Sequence, residues 1–395
     1  MPHADVNGLR LEYEVRGAGH APPLLLIMGL GMPAAMWPEE FIATLLDRGF
    51  RVVTFDNRDC GGSTRLADQP VPNIPRAIVR ALLRRPVSAP YDLRDMAGDA
   101  AGVLDAAGIE RAHVVGVSMG GMIAQVLAAA DPGRVLSLTS IMSSTGNPRP
   151  KIALGKPRAL RALLRRPPDD PADIDGIVDH LMYLFGIIGS PGFLQDAAIL
   201  RPHLERVARR GLYPEGTARQ LGAILASGDR RGMLEQVTAR TLVIHGASDP
   251  LVPLAAGRDT AQHIRGARLE IVQGMGHDFP PALMTRIAAW IAEHCGSGER
   301  QREPEAAADA GLARDPNLAA HRLDEPPRDG ETEAGPLADP AGVRRDALES
   351  LEQPALVLRS DADAGVENRD ADAAPLDLRD QADAAPVGEL EGVRK

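Results

Sequence analysis

Three residues in this chain have the types and the order needed to activate a hydroxyl for attack on a carbonyl: Ser118, Asp249 and His277. A serine hydroxyl is a weak nucleophile near neutral pH unless a histidine accepts its proton. That histidine works best when a carboxylate fixes its tautomer and stabilises its cation. Ser118 is the candidate nucleophile. It lies in Gly116-Val117-Ser118-Met119-Gly120, a Gly-x-Ser-x-Gly pattern in which the serine occupies a strained strand-to-helix turn and small neighbours keep backbone clear of it. Asp249 and His277 each stand just after an apolar strand, in the runs His245 to Pro253 and Gln273 to Phe279. In a parallel sheet those positions fall on the same strand-end side as Ser118. His245 and His113 read as structural, because His245 is too close to Asp249 along the chain to be the base that follows the last strand.

The elements that must position these residues are legible in the pattern of apolar runs. Ala112 to Val117 is β-branched and apolar, and Met122 to Ala130 is Ala-rich and helix-favouring, so the strand and helix that the serine turn needs are both present. Asn7-Gly8 is a two-residue hairpin turn, followed by an alternating strand from Leu9 to Val15. Pro23 to Met28 and Arg51 to Phe55 are interior strands, Val135 to Met142, Thr241 to Ile244 and Arg268 to Val272 continue the series, and helices are expected over Trp37 to Arg48, Asp92 to Ala107 and Pro281 to His294. Alternating strands and helices predict an α/β fold with a mostly parallel central sheet flanked by helices. The strand signal disappears between Gly146 and Val237, where helical pieces (Ala172 to Ile188, Phe193 to Arg210, Thr217 to Ala226) predict an inserted helical cap. The expected divisions are core at 1–145 and 238–295, cap at 146–237 and tail at 296–395.

Charge separates the tail from the body. Residues 296–395 contain 24 acidic and 12 basic residues and no aromatic one, whereas the whole chain has a formal charge of −10. Such a segment cannot bury enough apolar surface to offset chain entropy, so the tail is expected to be disordered. The body is nearly neutral, which argues against a nucleic-acid partner. A basic amphipathic stretch around Arg76, Arg80, Arg84 and Arg85, with Ile78 and Leu82, reads as the solvated face of a surface helix, and membrane association is not expected. The N-terminus lacks the pattern of a secretory signal, and no apolar run is long enough to span a bilayer, so a cytoplasmic location is expected. Cys60 and Cys295 describe neither a disulfide scaffold nor a metal site; no cofactor and no metal is expected, and the oligomeric state stays open.

Taken together, the Ser118, Asp249, His277 order and the strand rhythm over residues 1 to 295 resemble the α/β-hydrolase superfamily. Met28-Gly29-Leu30-Gly31, the Asp56 to Ser63 run in the form D-x-R-D-x-G-x-S, and Ser118-Met119-Gly120-Gly121-Met122 are similar to the branch containing aclacinomycin methylesterase. The resemblance implies an oxyanion hole made by the backbone N–H groups of Leu30 and Met119, with Met28 standing where histidine is usual. It also implies hydrolysis of a small-molecule, partly apolar carboxylic ester by water through an acyl-enzyme. Lactone, thioester, amide and carbon–carbon bond cleavage stay open on the same residues, as does cofactor-free perhydrolase or haloperoxidase chemistry. From a different class, a non-catalytic binding protein on this fold is the remaining alternative.

Overall fold

The structure is a computed structural model that describes residues 2–168 and 170–296; the expected tail, apart from Gly296, lies outside the described residues. Eight strands form one sheet: β1 (His3–Val6), β2 (Leu9–Arg16), β3 (Pro23–Ile27), β4 (Arg51–Phe55), β5 (Ala112–Val117), β6 (Val135–Ile141), β7 (Arg240–Gly246) and β8 (Arg268–Val272), in the spatial order β1-β2-β4-β3-β5-β6-β7-β8. β1 pairs antiparallel with β2 across the Asn7-Gly8 turn and β2 antiparallel with β4, while every other pair is parallel. The mostly parallel sheet read from the sequence is therefore observed.

Because successive side chains on a strand point to opposite faces, an unbroken apolar strand feeds two cores. Leu25 and Ile27 of β3 join one core with Val114 of β5, and Leu24 and Leu26 join the other with Val115 and Val117. The first core is closed by α3 (Leu93–Ala106) and α4 (Met119–Ala130), the second by α1 (Glu39–Asp47) and α12 (Pro281–Gly296). α3 opens on a reciprocal cap in which the Asp92 side chain takes the Asp95 amide and the Asp95 side chain takes the Asp92 amide.

Among the described residues six helices lie between β6 and β7: α5 (Pro150–Ala153), α6 (Pro157–Leu163), α7 (Ile174–Ile188), α8 (Ala197–Arg210), α9 (Pro214–Ser227) and α10 (Arg231–Leu234). α2 (Ile74–Leu82) packs against α9, whereas α10 packs on α4 and on α11 (Leu254–His263) at the sheet side. One local expectation changes, and one helix was not expected. The piece expected as a helix from Phe193 becomes helical at Ala197, because Asp196 caps that amide end through a bond from Ala198 N and Gly192 N is drawn to Gly274 O at 2.9 Å. α11 carries no apolar stripe, which hid it in the sequence; its buried face is Ala256, Gly257, Asp259 and Thr260. Gly257 lets this helix lie directly on the His245 ring, 2.5 Å from where a Cβ would stand.

Two buried histidines give the fold a pH dependence. His113 Nδ1 meets Ser137 Oγ at 2.8 Å and His294 Nε2 donates to Arg240 O at 3.1 Å; burial pushes both rings down to about 4. Unfolded histidine titrates near 6.5, so the unfolded chain binds more protons below that pH. The stability they contribute is complete above about pH 6.5 and is lost as the pH falls toward about 4. The urea midpoint should drop through that window, and His294→Gln should flatten the drop; an unchanged slope in the variant would assign the loss to other groups.

Candidate active site

Ser118 is placed by a sharp corner between β5 and α4. Its φ is 53° and ψ −119°, a left-handed conformation that costs a non-glycine residue on the order of 1–3 kcal/mol. Gly116 and Gly120 make the corner possible. A Cβ on Gly116 would stand 2.1 Å from Gly120 O, and one on Gly120 would stand 2.1 Å from Ile27 O. Ser118 N bonds Ile141 O at 2.9 Å, and Ser143 Oγ donates to Ser118 O at 2.8 Å, so the corner is held from β6 as well as β5.

His277 arrives from the loop after β8, fixed by its own amide bond to Ile188 O at 2.7 Å. Its Nε2 lies 3.0 Å from Ser118 Oγ and its Nδ1 2.7 Å from Asp249 Oδ2. A carboxylate only accepts, so Nδ1 carries the hydrogen and the Nε2 lone pair faces the serine hydroxyl. Asp249, after β7, receives the amides of Leu251 and Val252 on Oδ1 at 2.9 and 2.8 Å, leaving Oδ2 for the histidine. The three residues singled out in the sequence are thus brought into one hydrogen-bonded line.

His245 lies beneath it. Its Nε2 donates to Val252 O at 2.9 Å, bracing the Asp249 loop, and burial pushes its pKa down, keeping the ring neutral. Asp278, next to His277 and on the cavity wall, accepts from Ser190 Oγ and from Gln195 Nε2 at 2.8 Å; burial pushes its carboxyl pKa up. Ser190 Oγ also accepts from Gly276 N at 2.8 Å, so the α7–α8 connection and the His277 loop are stitched together.

Met119 is the first residue of α4, where an amide has no intrahelical acceptor. Leu30 follows Gly29, whose closeness to the serine is shown by the 3.3 Å between a built Cβ and Ser118 Cβ. The neighbouring Gly31 N is taken up by Gln220 Oε1 at 2.8 Å, and Met28 O accepts from Asn57 Nδ2 at 3.1 Å. Met28 itself is buried and lines the cavity.

The run Asp56 to Ser63 does more than supply tight turns, and its partners could not be read locally. Asp56 accepts from Ala34 N, Gly62 N and Arg210 of α8; Arg58 forms a two-toothed pair with Asp99 of α3 at 2.6 and 2.7 Å. Asp59 binds both Nε and Nη2 of Arg219 on α9 at 2.9 Å and the Tyr91 hydroxyl at 2.8 Å. Arg219 is 1% exposed and Asp59 also 1%. The adjacent Gln220 donates to Arg58 O at 2.7 Å while accepting from Gly31 N, so α9 is tied at once to this run and to the loop beside Ser118.

Ser118 and His277 open into a cavity of about 760 Å³ whose wall includes Trp37, Met122, Leu184, Phe185 and Leu225. α2, expected as a plain surface helix, lends Ile78, Ala81 and Leu82 to that wall; the stripe is amphipathic because one side faces the cavity. Among the described residues no group of three or more His, Cys, Asp or Glu is arranged to hold a metal ion, and no helix is long and apolar enough to cross a membrane.

The family model described as alpha/beta hydrolase fold matches residues 22–169. Rhodomycin D methylesterase of Streptomyces peucetius is 29% identical over 293 residues, covering 69% of this chain and 90% of that protein. A proposed carbamate hydrolase of Azorhizobium caulinodans is 30% identical over 302 residues, covering 75% of this chain and 98% of the relative. Among solved structures, the enol-lactonase from Burkholderia xenovorans LB400 has a TM-score of 0.53 at 24% identity, over 76% of this chain and 100% of that one, a likeness of fold.

Removing one member of a buried ion pair leaves the other charge without compensation, at a cost of about 3–5 kcal/mol. Arg219→Met should therefore lower the urea unfolding free energy by about that amount, more than Arg209→Met on the exposed face of α8. Equal effects of the two variants would show that the Asp59–Arg219 pair does not anchor α9.

Proposed function

The chain belongs to the α/β-hydrolase family, and on that premise we propose that it hydrolyses a carboxylic ester through a covalent acyl-enzyme on Ser118. The observation that carries this reading is the line Ser118 Oγ, His277 Nε2, His277 Nδ1, Asp249 Oδ2, with spacings of 3.0 and 2.7 Å, at the wall of an apolar cavity. In the reaction, His277 Nε2 takes the hydroxyl proton as Oγ bonds to the ester carbonyl carbon. Asp249 stabilises the resulting imidazolium. The carbonyl oxygen becomes an oxyanion, for which the Met119 and Leu30 amides are the assigned donors; one such donor contributes about 3–4 kcal/mol. Collapse breaks the bond to the alcohol oxygen, which leaves with the proton from His277. A water then gives its proton to the same nitrogen and attacks the acyl carbon, and the acid departs as Ser118 recovers its hydrogen.

The cavity supports a substrate with a sizeable apolar part. Its volume lies in the range of pockets that enclose most of a small organic ligand, with few polar groups near the serine. The relative named as a methylesterase supports ester cleavage, and the one named as a proposed carbamate hydrolase leaves a carbamate carbonyl as the second reading.

Ser118→Ala should lower kcat for a p-nitrophenyl ester by roughly 10⁴–10⁶-fold with the fold retained, and Asp249→Asn by about 10⁴-fold because an amide can hold the wrong imidazole tautomer. Near-wild-type turnover in Ser118→Ala would remove the serine mechanism, and a nearly silent Asp249→Asn would give the third role to another acid.

A further inference from the structure

The mouth of the cavity is built from two chain segments with the same unusual composition. Between Gln69 and Tyr91 the sequence has four arginines and no Asp or Glu; between Asn147 and Pro168 it has seven Lys or Arg, from Arg149 to Arg166, and again no Asp or Glu. The first segment contains α2, the second α5 and α6, and both line the one cavity that holds Ser118. Leu82, Leu154 and Leu164 line it while being 43%, 39% and 46% exposed, which marks them as its rim.

Two features distinguish this rim from the remaining surface. Of nine exposed large apolar side chains among the described residues, six belong to these two segments, including Val79 and Leu83 beside the rim leucines. Elsewhere some exposed arginines pair with carboxylates, Arg201 with Asp179 and Arg209 with Glu205. Here Arg80 bonds the Pro86 carbonyl, Arg165 lies over the Tyr183 ring, and no carboxylate among the described residues pairs with any of the eleven cations. Arg84, at φ 54°, holds a left-handed turn that ends α2 at the rim without a glycine.

We propose that these two segments form a docking face for an anionic lipid bilayer, with the cavity mouth opening onto the bilayer surface. Exposed leucines interleaved with Lys and Arg are the composition that seats a helix in the headgroup region, apolar side chains inserted and cations on the lipid phosphates. The formal charge of −10 arises from residues 296–395, with 24 acidic and 12 basic residues, whereas the two rim segments carry only basic ones. The sequence expectation of a solvated stripe and no membrane association rested on α2 alone. The fold sets a second cationic, apolar stretch around the same opening. An ester dissolved in the bilayer would enter past Leu82, Leu154 and Leu164; that route rests on the ester reading of Ser118, whereas the docking does not.

Sedimentation of the full chain with phosphatidylcholine vesicles and with mixed phosphatidylcholine–phosphatidylglycerol vesicles tests this. The chain should bind the mixed vesicles, less so at high salt, and leave the neutral ones in solution. Arg158→Glu/Arg161→Glu should reduce partitioning by roughly 30-fold or more, at the usual contribution of each basic residue near an anionic surface. Leu83→Asp should reduce it at constant salt. None of these three side chains lines the cavity, so both variants should keep wild-type hydrolysis of a soluble short-chain ester, which also reports folding. Equal binding to both vesicle types, binding to neither, or wild-type partitioning of both variants would overturn the proposal.

Discussion

The site depends on how closely three backbones approach one another. β5 turns into α4 within a single residue, and the turn lies against the end of β3 with room for hydrogen atoms only at Gly116 and Gly120. That contact forces Ser118 to φ 53°. The strain persists because α4 is buried without interruption from Met119 to Ala128, and apolar burial of about 25 cal/mol per Å² over such a helix outweighs one unfavourable φ. The same approach brings Gly29 against Ser118, from which α4 begins at Met119.

A second constraint is electrostatic and connects the inserted helices to the sheet. Asp56 and Asp59 leave the end of β4 buried, and their charges are matched by Arg210 and Arg219 from two helices that follow much later in the chain. Removing those carboxylates from water is costly unless they are paired and hydrogen-bonded, and both are. α8 and α9 are thereby fixed relative to β4, and through Gln220 to the loop beside Ser118. On the other side Asp278, Ser190 and Gln195 fasten the α7–α8 connection to the His277 loop. The wall of the cavity and the reacting groups share their supports.

This division explains what could be read from the sequence. Ser118, Asp249 and His277 were legible because each is tied to a local signal, an apolar strand ending in a Gly- or Pro-containing turn, and strand order fixes the rest. Strands buried on both faces were legible for the same reason. The partners of Asp56, Asp59 and Arg58 were not, since a buried ion pair leaves no periodic trace and its members are far apart in the chain. α11 escaped because its buried face is Ala, Gly, Asp and Thr. The role of α2 escaped because a helix facing a cavity and one facing water carry the same stripe. α10, within the expected cap limits, packs on α4 and α11 while its Arg231 lines the cavity.

The most direct measurement is of the acylated atom itself. The full chain, treated with a fluorophosphonate or mixed rapidly with a p-nitrophenyl ester, would be followed by intact mass and peptide mapping and by the first-turnover release of nitrophenol. The account predicts one adduct per chain, on the peptide carrying Ser118, and a burst of one nitrophenol per site before the steady rate wherever deacylation is the slower step. Turnover of the ester with no adduct on Ser118, or with the label on another residue, would contradict it.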